Sequence, residues 1–417
     1  MTTFQLAALF LSLVAAVGWL NARLLRLPPG VAMLIAGLVG ALCLYGLQRM
    51  GLEGADDAVR VIAQVDFPQT VVGYMLAFLL FAGAMQVDLH ELRRRRMAVW
   101  TLATVGVLAS TFLVGGGVWL GSRALGLDLP ASWALVFGAL ISPTDPVAVL
   151  STVRHGNLSK GLKAILQGEA LFNDGVGIVV FLAMTALAAS GHVSASGAAL
   201  SVVVKAGGGL LLGAAAGWLA VRAMRSIDDA PAEVAISLAL AAGLYAAADA
   251  LGLSGPIAVV AAGLLMGDLG AHAAMSETTR RYLRSFWTVV DEILNALLFL
   301  LLGLEFLAVP LDLKSALLGL IAIPLVLVVR LATVFPWGAY FHFRHAERGP
   351  SLILAWGGLR GALSLALALD IPAGVHKPLI LATTYAVVVF AVAVQGLSFG
   401  PLVARLRRRE AVPAAPA

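Results

Sequence analysis

Charge is what this chain has least of. Asp, Glu, Lys and Arg make up 12% of its 417 residues, against about a quarter in soluble domains. That poverty excludes an ordinary water-soluble fold. A single cysteine, Cys43, sits in an apolar run, so no disulfide framework and no Cys-based metal site forms within one chain. None of the seven histidines falls in a His-Glu-x-x-His or similar metal spacing, and each reads as a solvated loop residue. No nucleophile–base set stands out, which disfavours an intramembrane enzyme; no catalytic residue and no cofactor is expected. The short alternating segments of a β-barrel are missing. No basic segment precedes the first apolar run, which therefore reads as a retained span, not a signal peptide.

What is there is apolar. The chain is 60% hydrophobic, with mean hydropathy +0.95. A helix crosses a bilayer in about 20 apolar residues. By that measure thirteen spans are expected, at 4–22, 31–48, 69–87, 98–121, 132–153, 162–189, 197–221, 232–250, 254–268, 286–309, 315–341, 349–369 and 376–403. A basic tail, 404–417, follows and is expected to be disordered, with no regulatory domain. The net charge of +5 comes from residues in short loops between spans, so it points to topology and not to a nucleic-acid partner. Twenty basic residues follow odd-numbered spans, including the run Arg93 to Arg96; only Arg49, Arg60, Arg123, Lys314 and Lys377 follow even-numbered ones. This asymmetry predicts an N-terminus outside and a C-terminus in the cytoplasm. Arg330 and Arg360 lie near mid-span, where snorkelling is difficult.

Three stretches carry polar groups into the apolar interior. Span six holds Glu169, Asn173 and Asp174; such groups are costly in hydrocarbon and mark an ion or proton path by default. Span five holds Ser142-Pro143-Thr144-Asp145-Pro146, whose two prolines break a helix, with Asp145 as an N-cap before a proline at the next helix's first position. Span twelve holds Trp356-Gly357-Gly358-Leu359-Arg360-Gly361, a second candidate break. The two interrupted spans run in opposite directions, in corresponding positions of two halves. The fold class that follows is an all-α polytopic membrane protein with an inverted repeat and two broken crossing helices. Asp145 would then face positive half-helix ends, and Arg360 negative ones. Glu169 precedes Asp174 by five residues, about 140° around a helix, so the two should not face one ligand. For Glu292 and Arg330 two readings stay open: a second ion pair, or Arg330 capping half-helix ends. Asn295 lines the site or bonds a neighbouring helix, and Asp291 reads as solvated. The triplets Gly115 to Gly117 and Gly207 to Gly209 read as close-packing surfaces.

Taken in order, these motifs resemble the cation:proton antiporters of the NhaP/NHE branch. The match includes Thr144-Asp145-Pro146, Glu169-x-x-x-Asn173-Asp174-Gly175, and Gly357-Gly358-Leu359-Arg360-Gly361-Ala362. It extends to Leu79-Leu80-Phe81, Ser254-Gly255-Pro256, Phe286-Trp287 with Glu292, Asn295 and Phe299, and Arg330. The resemblance implies a homodimer in the bacterial inner (plasma) membrane. It implies core helices at about 98–189 and 315–403, dimerisation helices at about 4–87 and 197–309, and an exchanger domain over 1–403. It also implies roles. Asp174 binds cation and proton in competition; Asp145 and Thr144 help hold the ion; Asn173 supports the core; Glu169 pairs with Arg360. One departure is Ala170, where NhaP-type antiporters commonly carry a serine that touches the ion.

The chemistry is consistent with that likeness. Na⁺ is a hard cation that takes oxygen ligands, and Asp174, Asp145 and Thr144 offer them. A carboxylate in the membrane interior holds a cation or a proton, seldom neither. With Asn173 neutral, one main titrating carboxylate remains, which predicts electroneutral exchange. The expected function is Na⁺/H⁺ exchange, with Li⁺ or K⁺ as possible cargo. A K⁺/H⁺ antiporter and a cation channel are the alternatives. The expected partners are the monovalent cation, the proton and membrane lipids.

Overall fold

The structure, a computed structural model, describes residues 2–51, 54–63, 65–146, 158–190, 195–270, 275–309, 312–345 and 349–408. Among them the chain is helical almost throughout and contains no strand. In chain order the main helices are α1 (Thr3–Leu20), α2 (Pro29–Arg49), α3 (Leu76–Met85), α4 (Val107–Ala124), α5 (Ala131–Ile141), α6 (Lys160–Ser190), α7 (Ala195–Met224) and α8 (Ala230–Ala250). There follow α9 (Gly255–Leu265), α10 (Glu277–Leu304), α11 (Leu313–His345), α12 (Pro350–Gly357), α13 (Ala362–Asp370), α14 (Lys377–Phe390) and α15 (Gly396–Arg408). Over its described residues, each expected span coincides with helical segments of this order. Among the described residues, eight helical stretches are long and apolar enough to cross a membrane. The other expected spans are shorter, broken, or, like α10, carry more charge. The second half of span five, 147–153, and the end of the tail, 409–417, lie outside the described residues.

Local sequence explains where helices start. Prolines open α2, α9 and α12 at their first or second positions, where a missing N–H costs nothing. Ser254 and Ser276 cap α9 and α10, accepting from the amides of Ile257 and Thr279. Sequence patterning did not reveal the π-helical turns at Asn21–Leu25, Gln69–Met75, Leu102–Gly106, Met266–Gly270 and Ala391–Gln395. Such single-turn widenings keep a long helix going while shifting its face.

Packing falls into two groups. In one, α2 lies along α10, and α9 contacts α3, α7 and α8. In the other, α5 packs on α4 and α6, and α11 on α4, α12 and α14. Small residues let the backbones approach: a Cβ on Gly303 would lie 2.5 Å from the Leu34 carbonyl of α2. Within the two glycine triplets, Gly115, Gly117, Gly208 and Gly209 face neighbours closely, whereas Gly116 and Gly207 face open space. The groups meet where α6 touches α3 and α9, and where α10 touches α13.

Candidate functional site

Both expected breaks are present. Helix α5 stops at Ile141, where Ser142 turns its hydroxyl back to the Gly138 carbonyl at 2.6 Å and Pro143 cannot donate. Helix α12 stops at Gly357, and α13 starts at Ala362 after an extended Gly361. The two interruptions touch. The amide of Asp145 donates to the Leu359 carbonyl at 2.9 Å, the one antiparallel bridge among the described residues.

Broken helices leave carbonyls without helical partners, and in an apolar interior those must be satisfied. Two arginines do this. Arg360, 2% exposed, donates through Nη1 to the carbonyls of Ser142 and Pro143, the latter at 2.9 Å. Arg330, 5% exposed, donates to the Leu354 carbonyl near the end of α12 at 3.2 Å. Each break is thus capped by a cation from another span, with favourable charge against the negative helix end. For Arg360 this is the expected electrostatic role. For Arg330 it decides between the two readings in favour of capping.

The expected ion pair is corrected. Glu169, 2% exposed, is held by Arg330, whose Nη1 and Nη2 meet its two carboxylate oxygens, the second at 2.9 Å. Arg360 does not take this role, because its guanidinium is turned to the α5 carbonyls. A buried carboxylate takes whichever fork can present two parallel donors, and Arg330 presents them from α11. The same geometry replaces the alternative in which Glu292 pairs with Arg330.

Two glycines of the second break are required by what lies against them. A Cβ on Gly358 would sit 2.5 Å from the Arg330 Nε, and one on Gly361 would sit 2.5 Å from the Asp145 Oδ2. The second contact places the Asp145 carboxylate at the start of α13, a positive helix end.

On α6, Asn173 is fully buried and its amide donates to the Thr144 hydroxyl at 2.8 Å. Asn173 therefore anchors the first break to the helix that carries Asp174. Asp174 itself is half-buried and lines a cavity of about 340 Å³, together with Thr144, Asp145 and Ala170. The 140° separation holds in effect: Asp174 lines the cavity, while Glu169 is absent from its lining and buried against Arg330.

The far wall of the cavity was less well anticipated. Asp291, Glu292 and Asn295 of α10 line it, as do Gln86 after α3 and Lys163 and Gln167 of α6. Asn295 does line the site, but its amide bonds within its own helix, to the Asp291 carboxylate at 2.8 Å, and not to a neighbouring one. Asp291 is half-buried on this wall and is not a freely solvated residue. The available signal was spacing: Lys163, Gln167, Ala170 and Asp174 recur at helical intervals on one face.

Comparison with known proteins agrees with this architecture. The family model described as "Sodium/hydrogen exchanger, transmembrane" matches residues 9–405. The chain is 42% identical over 409 residues to the Na(+)/H(+) antiporter NhaP of Pseudomonas aeruginosa, covering 96% of each chain. It is 35% identical over 395 residues to the Na(+)/H(+) antiporter NhaH of Halobacillus dabanensis, covering 92% of this chain and 93% of that one. Its fold superimposes on the sodium proton antiporter MjNhaP1 of Methanocaldococcus jannaschii with a TM-score of 0.71 at 21% identity, over 100% of both chains. A second MjNhaP1 structure, at pH 8, gives 0.69 at 19% identity over 96% of this chain and 97% of that chain. The chain is an integral membrane protein and belongs to the sodium/hydrogen exchanger family of transporters.

Proposed function

We propose that this protein exchanges Na⁺ for H⁺ across the membrane, one for one, with cation and proton competing for Asp174. The observation that carries the reading is the shared cavity. Asp174 and Asp145 line one space where two broken spans cross, between two groups of packed helices. Asp145 and Thr144 supply further oxygens, and waters complete the shell of a hard cation. Asn173 holds Thr144 in place, and as a neutral amide adds no second proton carrier.

An ionised Asp174 without a cation is costly in this setting. A proton arriving from one side therefore displaces Na⁺, and Na⁺ arriving from the other displaces the proton. Access alternates as the core, about 98–189 and 315–403, moves against the dimerisation helices, about 4–87 and 197–309. The working form is a homodimer in the bacterial plasma membrane, N-terminus outside and C-terminus in the cytoplasm. Ala170 lines the cavity without a side-chain oxygen, so coordination rests on the remaining groups.

The test is reconstitution into liposomes containing a pH-sensitive dye, with Na⁺, Li⁺ and K⁺ added separately. The reading predicts saturable proton flux driven by Na⁺ and unchanged by an imposed membrane potential. Potential-dependent transport beyond leak would overturn one-for-one stoichiometry. Cation flux without proton coupling would overturn exchange itself.

A further inference from the structure

A second cavity, of about 810 Å³, opens at the start of α6, roughly 20 Å along that helix from Asp174. Its polar part gathers Arg94, Arg95, Ser159 and Lys160. Ser159 caps α6, accepting from the Leu162 amide at 3.2 Å, so the positive end of the helix points here. The Arg95 guanidinium lies over the Phe341 ring, 4.7 Å from its centroid, and fills the space beside Gly161. The lining also holds Glu91, 3.6 Å from Arg94, so it carries one acid beside Arg94, Arg95 and Lys160.

The opposite part is apolar. Trp337 has its indole N–H committed to the Thr101 hydroxyl at 2.6 Å, so its ring presents carbon to the cavity. Met97 and Tyr340 form the mouth and are 64% and 49% exposed. The neighbouring Phe343 is 85% exposed. In a membrane protein such side chains meet acyl chains and headgroups, not bulk water. A soluble anion would use the basic part and leave this mouth unused.

We propose that the cavity binds an anionic phospholipid, its phosphate between Arg94, Arg95 and Lys160 and an acyl chain along Met97 and Tyr340. The site is on the side of the membrane that carries the basic loops, where anionic headgroups concentrate around such clusters. It joins the segment before α4, the start of α6 and the end of α11, so occupancy ties the ion-carrying helix to its neighbours. This binding does not depend on which ion the protein transports.

The full-length protein is melted in detergent micelles doped with phosphatidylglycerol or with phosphatidylcholine. Phosphatidylglycerol raises Tm above the phosphatidylcholine value. Most of that rise is lost in the Arg94→Gln/Lys160→Gln double variant and kept in Arg222→Gln/Arg225→Gln, which removes two basic residues from the last turn of α7 and the turn after it. An equal rise with both lipids, or an equal loss in both variants, overturns the proposal. A matching rise with inorganic phosphate alone assigns the cavity to a soluble anion and also overturns it. Native mass spectrometry of the wild type from an equimolar mixture needs no variant. Retention of phosphatidylglycerol is expected, and no preference over phosphatidylcholine contradicts the site.

Discussion

The amide of Asp145 is bonded to the carbonyl of Leu359 at 2.9 Å, so the two broken spans are joined by backbone at the point where they cross. This bridge brings the Asp145 carboxylate against Gly361, with no room between them for a methyl group. Gly361→Ala should therefore displace Asp145 and lower Na⁺-driven exchange by at least about tenfold, the effect of roughly 1.4 kcal/mol. Transport in proteoliposomes measures it, with wild-type insertion as the control. Unchanged transport would mean that the placement of Asp145 does not matter.

Glu169 and Arg330 form a buried ion pair in the core. Arg330→Ala strands the carboxylate and uncaps α12, and should destabilise the protein by about 3–5 kcal/mol. Glu169→Gln combined with Arg330→Ala should recover part of that loss, because no bare charge is left behind. Melting in detergent checks both. A double variant less stable than Arg330→Ala alone would contradict the pairing.

Arg360 donates to the α5 carbonyls, whereas the direct ion pair of Glu169 is with Arg330. Arg360→Lys keeps the charge but offers a compact ammonium in place of a fork, so partial retention of stability is expected. Arg360→Ala should melt well below it. Adding Glu169→Gln to Arg360→Ala should rescue less than it does for Arg330→Ala, which separates this arginine from Arg330 in the same melting assay.

Asn173→Ala removes the donor to Thr144 and should cost about 1 kcal/mol of stability. The loosened Thr144 should raise the KM for Na⁺ more than it changes the maximal rate. Initial rates over a range of Na⁺ concentrations decide this; an unchanged KM would remove Thr144 from the ion's surroundings.

Competition for one carboxylate sets the pH dependence. Once the solution is acidic enough to protonate Asp174, the apparent KM for Na⁺ should rise about tenfold per pH unit, with the maximal rate recovered at saturating Na⁺. A rate that falls with acid and is not restored by Na⁺ would point to a separate inhibitory group.

The breaks were legible because proline and clustered glycine act locally: Pro143, Pro146 and the Gly357-to-Gly361 run end helices whatever surrounds them. The separation of Glu169 from Asp174 was legible too, since it depends only on helical pitch. The partner of Glu169 was not. Choosing between Arg330 and Arg360 requires the rotation of three spans about their axes, which no single span encodes. The cavity wall at Asp291 was obscured for a related reason. Helix α10 carries enough charge to read as partly solvated, and only its docking on α2 and α13 decides which of its faces meets the cavity.

The central claim is that Asp174 carries both cargoes. Purified Asp174→Asn protein, reconstituted beside the wild type, is tested for Na⁺-driven proton flux, with insertion and melting measured in parallel. The account predicts a folded, inserted protein with no exchange. Wild-type exchange by the Asp174→Asn protein would contradict it.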